Sequence, residues 1–108
     1  MTAAVPLEVD PTEAVDLLRN GATLVDVREG WEFDGCRIPG AVHIPLGELP
    51  ARLSEIPTDR PVVVNCHHGG RSMRAVQWLR SQGIGQATNL KGGIDRWSIE
   101  IDGSIPRY

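Results

Sequence analysis

The sequence has few cysteines and no excess of basic residues. Only two cysteines, Cys36 and Cys66, occur in 108 residues, which is too few for the disulfide framework of a small secreted domain. We therefore expect two free thiols in a reducing compartment such as the cytoplasm. Eleven basic and fourteen acidic residues give a net charge of −3. This balance gives no reason to expect a nucleic-acid partner.

Long apolar runs are also missing. No stretch approaches the roughly 20 apolar residues that span a bilayer, so we expect no membrane association. The first ten residues do not join a basic segment to an apolar run, and no signal peptide is predicted. Hydrophobic residues make up 41% and charged residues 23% of the chain, which is ordinary for a globular protein. We expect residues 1–108 to form one domain.

Short β-like runs alternate with helical patterns along the chain. Asp10, Pro11 and Glu13 form a helix-start signature. A further helix is predicted over about 71–82, a last helical turn from about 92, and a short helix interrupted by Pro50. The predicted strands are 7–10, 23–27, 41–45, 61–66 and 87–90. This alternation predicts an α/β fold: a small parallel sheet of about five strands with helices on both faces.

The stretch "NCHHGGRSMR" places Cys66 at the end of the most apolar strand, just before a helix. Ligands of such sheets bind beyond the carboxyl ends of the strands. The loop can turn its backbone N–H groups toward the sulfur, and the helix adds its positive amino end. Gly69 and Gly70 would permit the backbone angles that a tight loop needs. With Arg71 adding positive charge, the stretch indicates a nucleophilic thiolate inside an anion cradle.

A zinc site is the alternative that the adjacent Cys66, His67 and His68 suggest. Neighbouring side chains do not easily turn toward one ion, and no second ligand pair such as CxxC or HxxxH follows. His43 and Cys36 lack ligand spacing. We therefore predict no metal.

The spacing between Cys66 and Arg71 bears on what the thiolate attacks. Cysteine-dependent phosphatases have five residues between these two positions, whereas this chain has four. A shorter loop suits one extra sulfur atom better than a phosphoryl group.

Four motifs in order resemble a single-domain rhodanese, a sulfurtransferase. They are "LVDVRE" (24–29), "WEFDGCRIPGAVHIP" (31–45), "VVVNCHHGGRS" (62–72) and "NLKGGIDRW" (89–97). The family usually has Gly-His before "IPGA", where this chain has Cys36 and Arg37, and that motif resembles a structural turn.

The resemblance implies covalent catalysis through a persulfide on Cys66. A small anionic donor such as thiosulfate would supply the sulfur, and cyanide, a cellular thiol or a protein would accept it, with no cofactor. The implied substrate-binding residues are His67, His68, Gly69, Gly70, Arg71 and Ser72, with Arg28 bordering the pocket. Arg71 would attract the donor, and Asp26 would orient the backbone. We expect one of the two histidines, rather than both, to contact the site.

Two other functions fit the same pattern: a cysteine-dependent phosphatase or arsenate reductase on this fold, and a non-catalytic sulfur carrier or interaction module. Four aromatic residues are expected in the core or in a pocket wall, namely Trp31, Phe33, Trp78 and Trp97. Cys36 is interpreted as a lone, partly buried thiol, not as a disulfide partner of Cys66.

Overall fold

The computed structural model describes residues 5–108, so the part of the signal-peptide prediction that concerns residues 1–4 lies outside it. Within the described residues the strands are β1 (Glu8–Val9), β2 (Thr23–Asp26), β3 (Val42–His43), β4 (Val62–Asn65) and β5 (Ala87–Leu90). The helices are α1 (Pro11–Arg19), α2 (Gly30–Gly35), α3 (Gly70–Ser81) and α4 (Gly93–Glu100). The strands pair in the order β1-β5-β4-β2-β3, always in parallel. This confirms the predicted fold class.

The valine run explains why β4 lies in the middle of the sheet. Val62, Val63 and Val64 are fully buried, and successive side chains of a strand point to opposite faces. Val62 and Val64 join the core beneath α3, while Val63 joins the core beneath α1 and α4. A strand that is buried on both faces belongs at the centre of a parallel sheet. Its carboxyl end therefore opens at the middle of the sheet edge, where Cys66 follows.

One local prediction differs from the structure, and one helix was not predicted. The short helix interrupted by Pro50 is two separate 3₁₀ turns, Leu46–Glu48 and Leu53–Glu55, because proline has no N–H to continue a helix. The sequence did not predict α2, which has only six residues. A helix this short depends on its ends and its tertiary contacts more than on its intrinsic propensity.

None of the described helices combines the length and the apolar composition that a bilayer crossing requires.

The predicted capping signature of α1 forms, and it gives a stability test. The N–H of Glu13 donates to Asp10 Oδ1 at 2.8 Å, and the N–H of Asp10 donates to Glu13 Oε1 at 3.0 Å. We expect Asp10→Ala to lower the free energy of unfolding by about 1 kcal/mol, measured by urea denaturation. Exposed Thr12→Ala is the control. Equal stability of the two variants would contradict this role of the cap.

Candidate active site

Cys66 lies directly after β4, and the loop that follows it runs into α3 at Gly70. The residue is 1% exposed. Its Sγ accepts a hydrogen bond from the backbone N–H of Gly69 at 3.1 Å, and Ser72 Oγ lies 3.3 Å from it. A backbone dipole and a hydroxyl thus converge on one sulfur atom at the amino end of a twelve-residue helix. Such an arrangement favours negative charge on the sulfur.

Gly69 is the residue that lets the loop turn back on itself. Its φ is +106°, and a Cβ there would lie 3.3 Å from the backbone nitrogen of Gly92. A side chain would therefore be strained by both the angle and the contact. The expectation that Gly70 also needs a glycine-only angle is wrong: it is the first residue of α3, and a Cβ would meet nothing within 4 Å.

Ser72 connects the sulfur to the neighbouring strand. Its buried hydroxyl contacts both Cys66 Sγ and Asn89 Oδ1. The amide of Asn89 is held in one orientation because its Nδ2 donates to Glu8 Oε2 at 2.8 Å and to the Gly69 carbonyl at 3.1 Å. The hydroxyl has one proton, so it can donate to Asn89 beside a neutral thiol and to the sulfur beside a thiolate.

The first turn of α4 fixes the backbone of the loop from outside. The N–H of Ile94 donates to the Cys66 carbonyl at 2.9 Å, and the N–H of Asp95 donates to the His67 carbonyl at 3.2 Å. The approach is so close that a Cβ on Gly93 would lie 2.4 Å from the His67 carbonyl oxygen and 2.5 Å from that of Cys66. These carbonyls therefore face α4, which leaves the loop N–H groups free to face the sulfur.

Arg71 is already paired. Its Nη1 and Nη2 donate to the two carboxylate oxygens of Glu32 at 2.6 and 2.8 Å, a bidentate geometry. Glu32 also accepts from the hydroxyl of Tyr108 at 2.6 Å. Hydrogen bonds from Arg71 lower the pKa of Glu32 from 4.5 to about 2. To attract an anionic donor as expected, the guanidinium of Arg71 would therefore have to leave the Glu32 carboxylate or to bind the donor and this carboxylate at the same time.

Arg28 is placed differently from its prediction. It has no exposed surface, and its guanidinium is bound by both carboxylate oxygens of Asp26, by the Cys36 carbonyl at 2.6 Å and by the Tyr108 hydroxyl at 3.0 Å. It therefore reaches the site through Tyr108 and through the backbone carbonyl of Glu32 at 3.3 Å, and with no exposed surface it does not border an open pocket. Asp26 Oδ1 also accepts from the N–H of Arg28 at 2.9 Å, which agrees with the expected backbone-orienting role of Asp26.

The two histidines have different surroundings. His67 is partly buried, and its ring stacks on Tyr108 with centroids 3.8 Å apart and on His68 at the same separation. Burial lowers the pKa of His67, with a further contribution from His68. The side chain of His68 is 67% exposed. His67 is thus the one of the two histidines whose ring packs against Tyr108.

Among the described residues, His67, His68 and Asp95 form a group whose ligand atoms lie within 4.8 Å of one another. The two imidazole rings stack at an interplanar angle of 26°, whereas a metal ion binds an imidazole nitrogen along the ring plane. Asp95 also forms a salt bridge with Arg107, whose Nε lies 2.8 Å from Asp95 Oδ1. As arranged, these residues do not fit a tetrahedral site. The absence of a metal stays a prediction.

Trp31 lies in a pocket wall, one of the two predicted positions, and not in the core. It is 71% exposed, meets the ring of Tyr108 edge-on at 6.2 Å, and lines a surface pocket together with Tyr108 and Cys36. The six-residue α2 turns it outward while burying Glu32. Trp97 is 6% exposed, Trp78 packs against the core beneath α3, and Phe33 stacks on His43.

The sequence analysis missed three residues of the site: Asn89, Glu32 and Tyr108. Asn89 could have been found, because it lies near the carboxyl end of the strand beside β4 and those ends share one edge of the sheet. No local pattern marked Glu32 or Tyr108, because each contacts the site through a helix or tail distant in sequence.

The fold and the site together define a class: a parallel α/β protein with a buried cysteine in a backbone loop at the sheet edge. Residues 10–100 match the family model of the rhodanese-like domain. The chain belongs to the rhodanese-like family, as its four motifs predicted.

Two relatives illustrate the range of similarity. The protein of Bacillus subtilis called uncharacterized protein YqhL is 49% identical over 80 residues, covering 74% of this chain and 64% of that protein. The thiosulfate sulfurtransferase GlpE of Pseudomonas syringae is 35% identical over 89 residues, covering 82% of this chain and 84% of GlpE.

Solved structures agree with the fold. The reduced CoADR-RHD of Bacillus anthracis superposes with a TM-score of 0.83 at 33% identity, covering 91% of this chain but only 17% of that one. The human single-domain sulfurtransferase TSTD1 gives 0.82 at 30% identity, covering 88% of this chain and 97% of TSTD1. The chain thus corresponds to one domain of the larger relative and to nearly all of the smaller one.

The close contact between α4 and the loop predicts that a methyl group added at Gly93 strongly lowers the stability of the fold. We expect Gly93→Ala to destabilise the fold by about 3 kcal/mol or more, because a Cβ would overlap backbone atoms that cannot move aside. Gly83→Ala is the matched control, because Gly83 also has a positive φ of +90° but a Cβ there would meet nothing within 4 Å. Denaturant unfolding of the two variants tests this, and similar midpoints would contradict the role given to Gly93.

The pairing of Glu32 predicts a pH dependence of stability. Its pKa of about 2 in the folded state lies below its ordinary 4.5, so the folded state favours the carboxylate. The stabilisation is complete above pH 4.5 and is lost as the pH falls toward 2. Because Arg71 is partly exposed, we expect a contribution on the order of 2 kcal/mol. The stability gap between the wild type and Glu32→Gln should shrink over this window; a constant gap would contradict the assignment.

Proposed function

We propose that this chain is a sulfurtransferase that takes the sulfane sulfur of a donor such as thiosulfate onto Cys66 and passes it to cyanide or a thiol. The observation that carries the proposal is the buried Cys66 sulfur, which accepts from the Gly69 N–H at 3.1 Å at the amino end of α3. Membership of the rhodanese-like family and the names of relatives such as GlpE support it.

In the first half-reaction, the Cys66 thiolate attacks the outer sulfur of thiosulfate. A sulfur–sulfur bond to Cys66 forms as the bond within thiosulfate breaks, and sulfite leaves with its electron pair. The new terminal sulfur is an anion that the loop N–H groups and the amino end of α3 would stabilise. Ser72 can turn its proton toward the sulfur at this stage.

In the second half-reaction, the acceptor attacks the terminal sulfur. Cyanide becomes thiocyanate, or a thiolate becomes a persulfide, and the Cys66 thiolate returns. Both half-reactions balance with the cysteine as the only redox group, so they require no cofactor. A protein thiol is a possible acceptor by the same chemistry, and a reducing compartment such as the cytoplasm keeps both thiols free.

The short loop supports sulfur transfer over phosphoryl transfer. Four residues separate Cys66 from Arg71, and Cys66 is buried, so there is little room for a tetrahedral phosphoryl group on its sulfur. The additional atom of a persulfide asks for much less space.

Mass spectrometry after thiosulfate treatment tests the proposal. We expect the Cys66 peptide to gain about 32 Da, one sulfur atom, and to lose it on addition of cyanide as thiocyanate appears. Cys36→Ser should behave as the wild type, and Cys66→Ser should form no persulfide.

Two outcomes would contradict this assignment. One is hydrolysis of an aryl phosphate that requires Cys66, with no sulfur transfer from thiosulfate or from an alkyl persulfide. The other is the absence of any Cys66-dependent turnover, which would indicate a carrier or interaction module.

A further inference from the structure

The charged side chains that surround the loop form ion pairs with one another. Arg71 is bound by Glu32, Arg28 by Asp26, and Asp95 by Arg107. Each pair sums to zero, and burial lowers the pKa of His67, which favours the neutral ring. A small dianion that approaches Cys66 therefore meets backbone dipoles but no free side-chain cation among these pairs.

Tyr108 joins two of the pairs. Its hydroxyl donates to Glu32 Oε2 at 2.6 Å and accepts from Arg28 Nη1 at 3.0 Å. Its ring lies parallel to that of His67, at 7° and 3.8 Å. Tyr108 thus contacts both the carboxylate that pairs with Arg71 and the ring of His67, the first loop residue after Cys66.

The tail that carries Tyr108 is held by contacts of its own. Ile105 is buried, and its carbonyl accepts from Ser98 Oγ at 2.6 Å. Arg107 is paired with Asp95 at 2.8 Å. The position of Tyr108 is therefore imposed on the site by α4 and the tail, and the tail would stay anchored without the tyrosine ring.

We propose that Tyr108 is a specificity-determining residue that holds Glu32 against Arg71 and so prevents this arginine from binding small dianions. As far as it concerns the sulfur donor, this inference rests on the proposed sulfurtransferase function.

The protonation states needed for this arrangement hold across the neutral range. Burial raises the pKa of Tyr108 from 10 to about 12, and hydrogen bonds from Arg71 lower that of Glu32 to about 2. The phenol therefore remains a donor and the carboxylate remains an acceptor. Glu32 raises the pKa of Arg71, with smaller contributions from Cys66 and Tyr108, so the arginine stays charged and would act on an anion near Cys66 once released.

Alkylation of Cys66 provides a test that does not depend on sulfur transfer. Iodoacetate is an anion and iodoacetamide is neutral, so the ratio of their rates at Cys66 reports the charge that an incoming reagent meets. Mass spectrometry of the Cys66 peptide separates this reaction from that of Cys36. The proteins compared are the wild type, Tyr108→Ala, Tyr108→Phe, Glu32→Gln and, as a control, Ile99→Ala, an exposed apolar residue.

We expect Tyr108→Ala and Glu32→Gln to raise the iodoacetate-to-iodoacetamide ratio by about threefold or more. Glu32→Gln removes the countercharge of Arg71, and Tyr108→Ala removes the hydroxyl that holds Glu32 against it. Tyr108→Phe keeps the ring and loses the hydroxyl, so its increase should be smaller but measurable. Ile99→Ala should leave the ratio unchanged. Added salt should reduce the increases, as screening predicts.

The sulfur-transfer arm uses the same proteins. The variants that raise the alkylation ratio should have a lower KM for thiosulfate than the wild type. The largest decrease should occur in the variants with the largest ratio, and kcat should change little. If no protein transfers sulfur, the proposed function fails, while the alkylation ratios still decide the role of Tyr108. A raised ratio in Glu32→Gln with no change in either tyrosine variant would overturn the inference, as would an unchanged ratio in all of them. Should Tyr108→Ala fail to fold, Tyr108→Phe decides.

Discussion

Two backbone hydrogen bonds, from the first turn of α4 to the carbonyls of Cys66 and His67, hold the site in shape. A loop at a strand end has both N–H and C=O groups to satisfy, and α4 takes the carbonyls. The N–H groups can then serve the sulfur. Gly93 makes this possible because it has no Cβ at a position 2.4 Å from the loop backbone. The contacts of Ser72 and Asn89 with the sulfur and the loop depend on the loop shape that results.

Charge plays a different part at this site from the one that its arginine suggested. The stabilisation proposed for the persulfide comes from backbone dipoles, which keep their orientation throughout the reaction, and from one hydroxyl that can turn its proton toward the sulfur. The side-chain charges are neutralised in pairs, and Arg71 is held in place by Glu32 instead of standing free. Under the proposed function, such a site would stabilise a singly charged sulfur atom without strongly attracting dianions. The groups that stabilise the intermediate would then differ from those that select the donor.

Much of the fold followed from local patterns. The valine run located the central strand, the Asp10–Glu13 signature located the start of α1, and the alternation of strands and helices gave the parallel sheet. The two 3₁₀ turns and α2 did not follow. Short elements gain little from intrinsic propensity, and their conformation depends on what they pack against. The outward position of Trp31 is a consequence of α2 and could not be read without it.

The sequence by itself located the sulfur atom on which the proposed chemistry depends. Cys66, its glycine and the helix that follows lie within a few residues of one another, and the end of a buried strand sets their geometry. Only the tertiary structure decided how that atom is surrounded, since Arg71 meets Glu32 across 39 residues and Tyr108 meets Glu32 across 76. No periodicity links positions so far apart. They meet because the sheet order brings α2, α3 and the tail to one edge, where each polar group must find a partner.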